Sequence, residues 1–121
     1  MSYDIRLVNP QTRETVQFGT PHQFRGGTYA VGGTTEAWLN VTYNYSKHFY
    51  RVFSNPKGIR ALYGMTAAAS IVCLDAAIAQ LADDVCASDY WNPTEGNAKV
   101  ALLGLKALAL ASPPDSLWEG D

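Results

Sequence analysis

The chain has few charged residues and no long apolar segment. Only 17% of its 121 residues are Asp, Glu, Lys or Arg, and its formal net charge is −2. The molecule as a whole therefore lacks the positive field with which proteins hold nucleic-acid backbone, and direct nucleic-acid binding is not expected. Apolar stretches are broken well before membrane-spanning length, and the first residues form no apolar leader. These features predict a cytoplasmic protein with no membrane partner.

Cysteine and histidine are also scarce. The two cysteines, Cys73 and Cys86, are too few for a disulfide framework, which favours free thiols in a reducing compartment. Together with His22 and His48 they show none of the close spacings of zinc ligands. No metal site is therefore predicted.

The known cofactor motifs are missing as well. Residues 26–35 read Gly-Gly-Thr-Tyr-Ala-Val-Gly-Gly-Thr-Thr, but neither a Walker loop nor the glycine spacing of a dinucleotide site is present. The paired glycines are typical of turns or bulges, and a backbone nest for an anion is the alternative. No cofactor is predicted.

What the chain does contain is enough apolar material for one core. Hydrophobic residues make up 47% and aromatic residues 12%, which predicts a single domain spanning residues 1–121. The charge is uneven, since residues 1–60 carry seven bases and three acids whereas residues 61–121 carry two bases and eight acids. One end could attract an anion, or the two halves could neutralise each other across their contact.

The hydrophobic pattern changes from strand to helix along the chain. Short β-type runs at 3–8 and 14–18 predict a hairpin, and further strands follow up to residue 46. Ser46 can cap a short helical segment through about Phe53, and three- and four-residue spacing predicts long helices over 66–82 and 93–111. We therefore expect an α+β fold in which an N-terminal antiparallel sheet of three to five strands packs against two long C-terminal helices.

The start of the last helix carries capping residues, with Asn92 as the expected N-cap, Pro93 at the first helical position and Glu95 at the third. Gly96 and Gly104 lower the stability of this helix, so a close approach by a neighbouring helix or a ligand is expected there. In the acidic tail, Trp118 is expected to anchor the chain to the body.

The segment 38–46 alternates strictly between apolar and polar side chains. Its polar positions are Asn40, Thr42, Asn44 and Ser46, which are short and uncharged and can both donate and accept hydrogen bonds. Such a row suits a base, a ribose or a peptide. Alternatively, these side chains could bond neighbouring backbone groups or line an exposed edge strand.

A cationic and aromatic cluster follows at Lys47, His48, Tyr50 and Arg51, to which Arg25 could be added. Arginine binds phosphate or carboxylate through two hydrogen bonds, and tyrosine rings can stack on a base, so the cluster favours an anionic ligand. His48 could alternatively act as the base of a small hydrolase or nuclease. No local motif supplies a partner carboxylate and a nucleophile, so no catalytic residue is predicted.

Two aromatic residues precede the last helix. A nucleotide could stack on Trp91 and place its phosphate on the free N–H groups of the helix N-terminus, near Asn97. The alternative is that these rings pack under the helix as a hydrophobic staple. The predicted ligand-binding residues are Arg25, Asn40, Thr42, Asn44, Tyr45, His48, Tyr50, Arg51, Trp91 and Asn97.

Five segments of the chain resemble a family of small uncharacterised proteins from bacteriophages and prophages of gut and soil bacteria. They are residues 1–10, 26–45, 58–65, 90–99 and 118–121. The resemblance implies a setting rather than an activity: small accessory phage proteins often block a host nuclease complex, as anti-CRISPR proteins do, or sequester a nucleotide signal. Expected partners are therefore a host defence protein or an anionic small molecule, and homo-oligomerisation is possible because a subunit interface can form a pocket. A structural or assembly protein of the phage particle is a further alternative.

Overall fold

The computed structural model describes residues 1–28 and 33–121, which form strands and helices in one α+β arrangement. The strands are β1 (Ser2–Val8), β2 (Gln17–His22), β3 (Thr34–Glu36), β4 (Trp38–Thr42) and β5 (Leu117–Gly120). The helices are α1 (Ser46–Val52), α2 (Ala67–Ile78) and α3 (Glu95–Ala111). Two 3-10 turns lie at Tyr43–Tyr45 and Gly58–Leu62. The predicted α+β class is confirmed.

The principal sheet is antiparallel and has β1 at its centre, in the order β4-β1-β5. Tyr3 lies opposite Val41, and Leu7 lies opposite Trp118. These side chains are buried on one face of the sheet, as two-residue periodicity requires. β2 and β3 form a separate two-stranded sheet.

The predicted leading hairpin is reduced to one bridge, between Val8 and Thr15. The Asn9 side chain accepts hydrogen bonds from the backbone N–H groups of Gln11 and Thr12, which forms a wide turn instead of a tight one. β2 consequently begins only at residue 17 and pairs with β3.

The first glycine pair lies where the chain passes very close to β4. A Cβ atom at Gly26 would overlap the backbone of Asn40, and Gly27 has a φ angle of 78°. Glycine is needed at both positions for these reasons. Residues 29–32, the middle of the predicted glycine segment, lie outside the described residues.

The two C-terminal helices pack antiparallel against each other. At one end the N–H of Ala67 donates to the carbonyl of Ser116, and at the other the Lys99 Nζ lies 3.5 Å from the carbonyl oxygen of Leu81. The prediction of two long helices needs correction, because α2 has only 12 residues whereas α3 has 17. α1 matches the short helical segment predicted from Ser46. α2 ends early because Gln80 and Leu81 turn back onto its last carbonyls with bonds of the 3-10 type.

The N-cap of α3 is Thr94 rather than the predicted Asn92. The Thr94 hydroxyl accepts a hydrogen bond from the N–H of Asn97 over 3.0 Å, which satisfies one of the free donors of the first turn. Pro93 therefore lies just outside the helix. In the tail, Trp118 is buried in β5 and donates from its Nε1 to the Ser70 hydroxyl of α2 over 2.8 Å.

Candidate functional site

The alternating segment does not continue as a strand to Ser46. β4 ends at Thr42, whose hydroxyl accepts a hydrogen bond from the N–H of Asn44 over 3.2 Å. This bond caps the following 3-10 turn and directs the chain out of the sheet. The strand prediction is therefore wrong beyond Thr42. The polar side chains of the predicted row point in different directions as a result.

The long connection between α2 and α3 spans residues 79–94, and we call it the α2–α3 loop. Three predicted ligand-binding residues contact the end of this loop or the first residue of α3. The side-chain amide of Asn44 donates to the carbonyl of Trp91 over 2.9 Å. The Nε2 atom of His48 lies 2.9 Å from the carbonyl oxygen of Pro93. Arg51 forms an ion pair with Glu95, with 3.1 Å between Nη2 and Oε1. These bonds attach the loop to α1 and the turn before it.

Two further predicted residues hold the same loop from inside. Tyr45 is fully buried, and its hydroxyl donates to the carbonyl of Tyr90. Burial raises the pKa of Tyr45 to about 12, with the negative charge of Asp89 adding to the effect. Asn97 is buried at the start of α3, where its side chain bonds main-chain groups of the loop. All these contacts are within the chain.

Four more of the predicted residues, Arg25, Asn40, Thr42 and Trp91, are dispersed. Thr42 is buried at the end of β4, and Asn40 is half-buried within that strand. The guanidinium of Arg25 lies over the ring of Tyr90, 4.9 Å from its centroid. Trp91 is half-exposed on the α2–α3 loop.

Tyr50 lies apart from these residues and lines a cleft of about 450 Å³. We call it the Tyr50 cleft, and its lining residues are Tyr50, Pro56, Lys57, Arg60 and Tyr63. The cleft therefore combines two cationic side chains and two tyrosine rings, and none of these lining residues is acidic.

The turn after α1 shapes one wall of the cleft. The side chain of Asn55 accepts a hydrogen bond from the N–H of Lys57 over 2.8 Å, which fixes the backbone before the 3-10 turn. Gly58 has a φ angle of 59°, and a Cβ atom there would lie 3.0 Å from the Tyr50 ring. Glycine thus permits both the backbone conformation and the close packing of that ring.

Arg60 is held in a fixed orientation beside the cleft. Its Nη2 donates to the hydroxyl of Tyr43 over 2.9 Å, and its Nε donates to the main-chain oxygen of Asp121 over 2.7 Å. The guanidinium also lies 4.8 Å from the centroid of the Tyr3 ring. A guanidinium has five N–H donors, and these two bonds leave further donors for a ligand. Its orientation is set before any ligand arrives.

Tyr63 also lines the cleft. Burial raises the pKa of its hydroxyl to about 12, and the charge of Asp121 contributes in the same direction. The hydroxyl therefore remains neutral at physiological pH and adds no negative charge beside the cations. Among the described residues it has no hydrogen-bond partner.

The ligand-binding residues predicted from the sequence do not include Lys57, Arg60 or Tyr63. Their spacing carried a usable signal, because residues three apart lie above one another in a 3-10 helix. This spacing indicates that two cations and an aromatic ring share one face of the turn. The signal was obscured because the segment is short and its helix type is not evident from the sequence.

A cleft of about 460 Å³ on the outer face of the principal sheet contains Trp38 and four acidic residues together with Arg6. Arg6 is paired there with Glu119 at 3.6 Å. Within residues 1–28 and 33–121, no three His, Cys, Asp or Glu side chains are grouped closely enough to hold a metal ion. No helix of that described part has both the length and the apolar character to cross a membrane.

Comparison of the chain with protein-family models, curated proteins and solved structures finds no match.

Proposed function

We propose that this chain is a non-catalytic binding protein that holds an anionic, ring-bearing small molecule of nucleotide type in the Tyr50 cleft. The observation that carries the proposal is the meeting of Lys57, Arg60 and two tyrosine rings in one cleft without a lining acid. Arginine and lysine bind phosphate, and tyrosine offers a face on which a base can stack.

The fixed guanidinium of Arg60 supports this proposal. Its bonds to Tyr43 and Asp121 reduce the conformational freedom that an arginine side chain would otherwise lose on binding. A hydrogen bond to a charged group contributes about 1.5–3 kcal/mol, which corresponds to roughly tenfold to hundredfold in affinity. A base stacked on a tyrosine ring adds about 1–3 kcal/mol to these contacts.

The position of His48 favours binding over catalysis. Its Nε2 lies 2.9 Å from the carbonyl oxygen of Pro93, and among the described residues its ring forms no hydrogen bond to a carboxylate, a hydroxyl or a thiol. The alternative of a small hydrolase or nuclease therefore has less support.

The resemblance to phage proteins supports a biological setting for such binding. In that setting the protein would act in counter-defence by sequestering a nucleotide signal of the host, and binding a host defence protein is the alternative. A role in assembly of the phage particle would instead place the protein in purified virions.

Calorimetric titration tests the proposal directly. The panel consists of cyclic mononucleotides, cyclic dinucleotides and ADP-ribose, with inorganic phosphate and uncharged nucleosides to separate the contributions of charge and ring. We expect nucleotides to bind, and Lys57→Gln to weaken binding by about tenfold or more. Lys47→Gln is the matched control, because Lys47 is exposed on α1 and does not line the cleft.

A second pair of variants separates this site from the one predicted from sequence. If the nucleotide binds in the cleft, Asn44→Ala leaves the affinity within about twofold, a change below 0.5 kcal/mol. Loss of binding in Asn44→Ala together with full binding in Lys57→Gln would instead place the ligand at the predicted polar row. The proposal fails if no member of the panel binds.

A further inference from the structure

α2 is apolar on nearly all sides, although it lies at the surface. Of its 12 residues only Ser70 and Asp75 are polar, and Ser70 is buried against Trp118. The side chain of Val72 is 78% exposed, and Ala76 is exposed beside it. A helix that is apolar all round is normally covered on every side.

α3 continues this apolar surface. Leu103 and Leu110 are 45% and 66% exposed, and Lys106 lies between them on the same side of the helix. The Nζ of Lys106 is 2.6 Å from the Oδ1 of Asp75. Because the two helices run antiparallel, Val72 lies one turn from this ion pair in the same direction as Leu110.

Together these residues form one surface, which we call the α2/α3 face. It consists of Val72, Asp75 and Ala76 of α2, and Leu103, Lys106 and Leu110 of α3. None of the residues lining the Tyr50 cleft belongs to it.

We infer that the α2/α3 face binds a second copy of the chain around a two-fold axis that passes beside the Asp75–Lys106 pair. The face is apolar except for one acid and one base, so it is complementary in charge to itself. A two-fold axis at the pair brings Asp75 of each copy against Lys106 of the other, and the four charges alternate in sign. The apolar residues on either side then cover each other.

The size of the face predicts a weak dimer. Helices of 12 and 17 residues are about 18 and 25 Å long, and two adjacent helices are about 20 Å wide. The face thus buries roughly 400 Å² per copy, about half of what a typical stable interface buries. We expect a dissociation constant in the micromolar range and an equilibrium that depends on concentration.

Sedimentation velocity over about 1 to 500 µM measures this equilibrium for the whole chain, a range that brackets the micromolar affinity expected for so small an interface. We expect Val72→Glu to raise the dissociation constant at least about tenfold, because each dimer then buries two carboxylates. Val85→Glu is the matched control: Val85 is 45% exposed but lies on the α2–α3 loop, away from the face. Circular dichroism verifies that both variants fold. A chain that stays monomeric throughout the range, or a dimer that tolerates Val72→Glu, overturns the inference.

The charge arrangement is tested by mixing two variants. Asp75→Lys alone and Lys106→Asp alone each place like charges against each other across the axis, so neither should form a homodimer. In an equimolar mixture every cation of one variant meets an acid of the other. We therefore expect a heterodimer whose dissociation constant lies within a factor of about three of the wild-type value. Absence of the heterodimer would overturn the proposed two-fold arrangement.

Discussion

The backbone N–H of Cys86 donates to the side-chain Oδ1 of Asn97 over 2.9 Å, which joins the α2–α3 loop to the first turn of α3. The Nδ2 of the same side chain donates to the carbonyls of Asp89 and Asn92 over 3.1 and 2.9 Å. Asn97 is 1% exposed, so these bonds form away from water. One amide therefore fixes three points of a loop that has no helix or strand of its own.

Replacing this amide should destabilise the protein. Asn97→Ala leaves a donor and two carbonyls of the loop without their partner, and we expect the free energy of unfolding to fall by about 2–4 kcal/mol. Urea unfolding measures the loss, and hydrogen exchange should show faster exchange at the Cys86 amide.

Asn92→Ala serves as the control for that variant. The Asn92 side chain is exposed, and only its backbone carbonyl bonds to Asn97. The change should alter the free energy of unfolding by less than about 0.5 kcal/mol. Equal losses in the two variants would contradict the role given to Asn97.

The buried pair Trp118 and Ser70 should be energetically coupled. Ser70→Ala leaves the indole N–H buried without an acceptor, at a cost of about 1–3 kcal/mol. Trp118→Phe removes that donor together with core volume. The double variant should lose less than the sum of the two single variants, by about 0.5–3 kcal/mol. Strict additivity in urea unfolding would show that this hydrogen bond contributes nothing.

The helical half of the fold was largely predictable from sequence. The spacing of Leu102, Leu105 and Leu108 predicts the buried side of α3, and these residues are buried. The ends of the helices were less predictable, because Asn92 and Thr94 are both acceptable caps and local sequence does not choose between them.

The candidate site was predictable only in part, for a physical reason. Two-residue alternation over 38–46 favours a strand, yet Tyr45, Phe49 and Val52 also fit the spacing of a helix, and these residues are buried in that way. The identity of a short polar side chain does not indicate which group it will hydrogen-bond. Asn44 could have met a ligand or a main-chain carbonyl, and only the tertiary fold decides which is near.

Alkaline pH should destabilise the protein through Tyr45. Burial raises the pKa of its hydroxyl to about 12, whereas in the unfolded chain the hydroxyl ionises near pH 10. Between these values the unfolded chain binds fewer protons than the folded one, so the free energy of unfolding falls as pH rises. The stabilisation is complete below pH 10, and up to about 2–3 kcal/mol is lost towards pH 12.

Tyr45→Phe should reduce this dependence. The variant is less stable at neutral pH, because the carbonyl of Tyr90 loses its donor. Its free energy of unfolding should decline less steeply between pH 9.5 and about 11.5 than that of the wild type. Tyr50→Phe is the control, since Tyr50 is exposed and should keep the wild-type slope. Equal slopes in all three proteins would exclude Tyr45 as the cause.

The two glycines inside α3 should respond oppositely to alanine. A Cβ atom at Gly96 would overlap the backbone of Asp84 and Val85, which cannot move without displacing the α2–α3 loop. At Gly104 the nearest atom is the Phe24 Cβ at 3.1 Å, and residues 23–26 form no helix or strand, so a backbone shift of a few tenths of an ångström there relieves the contact. Alanine favours a helix interior over glycine by about 1 kcal/mol. We therefore expect Gly104→Ala to be neutral or to stabilise by up to about 1 kcal/mol, and Gly96→Ala to destabilise by about 2 kcal/mol or more in thermal unfolding. A stabilising Gly96→Ala would mean that the loop does not pack on the helix at this point.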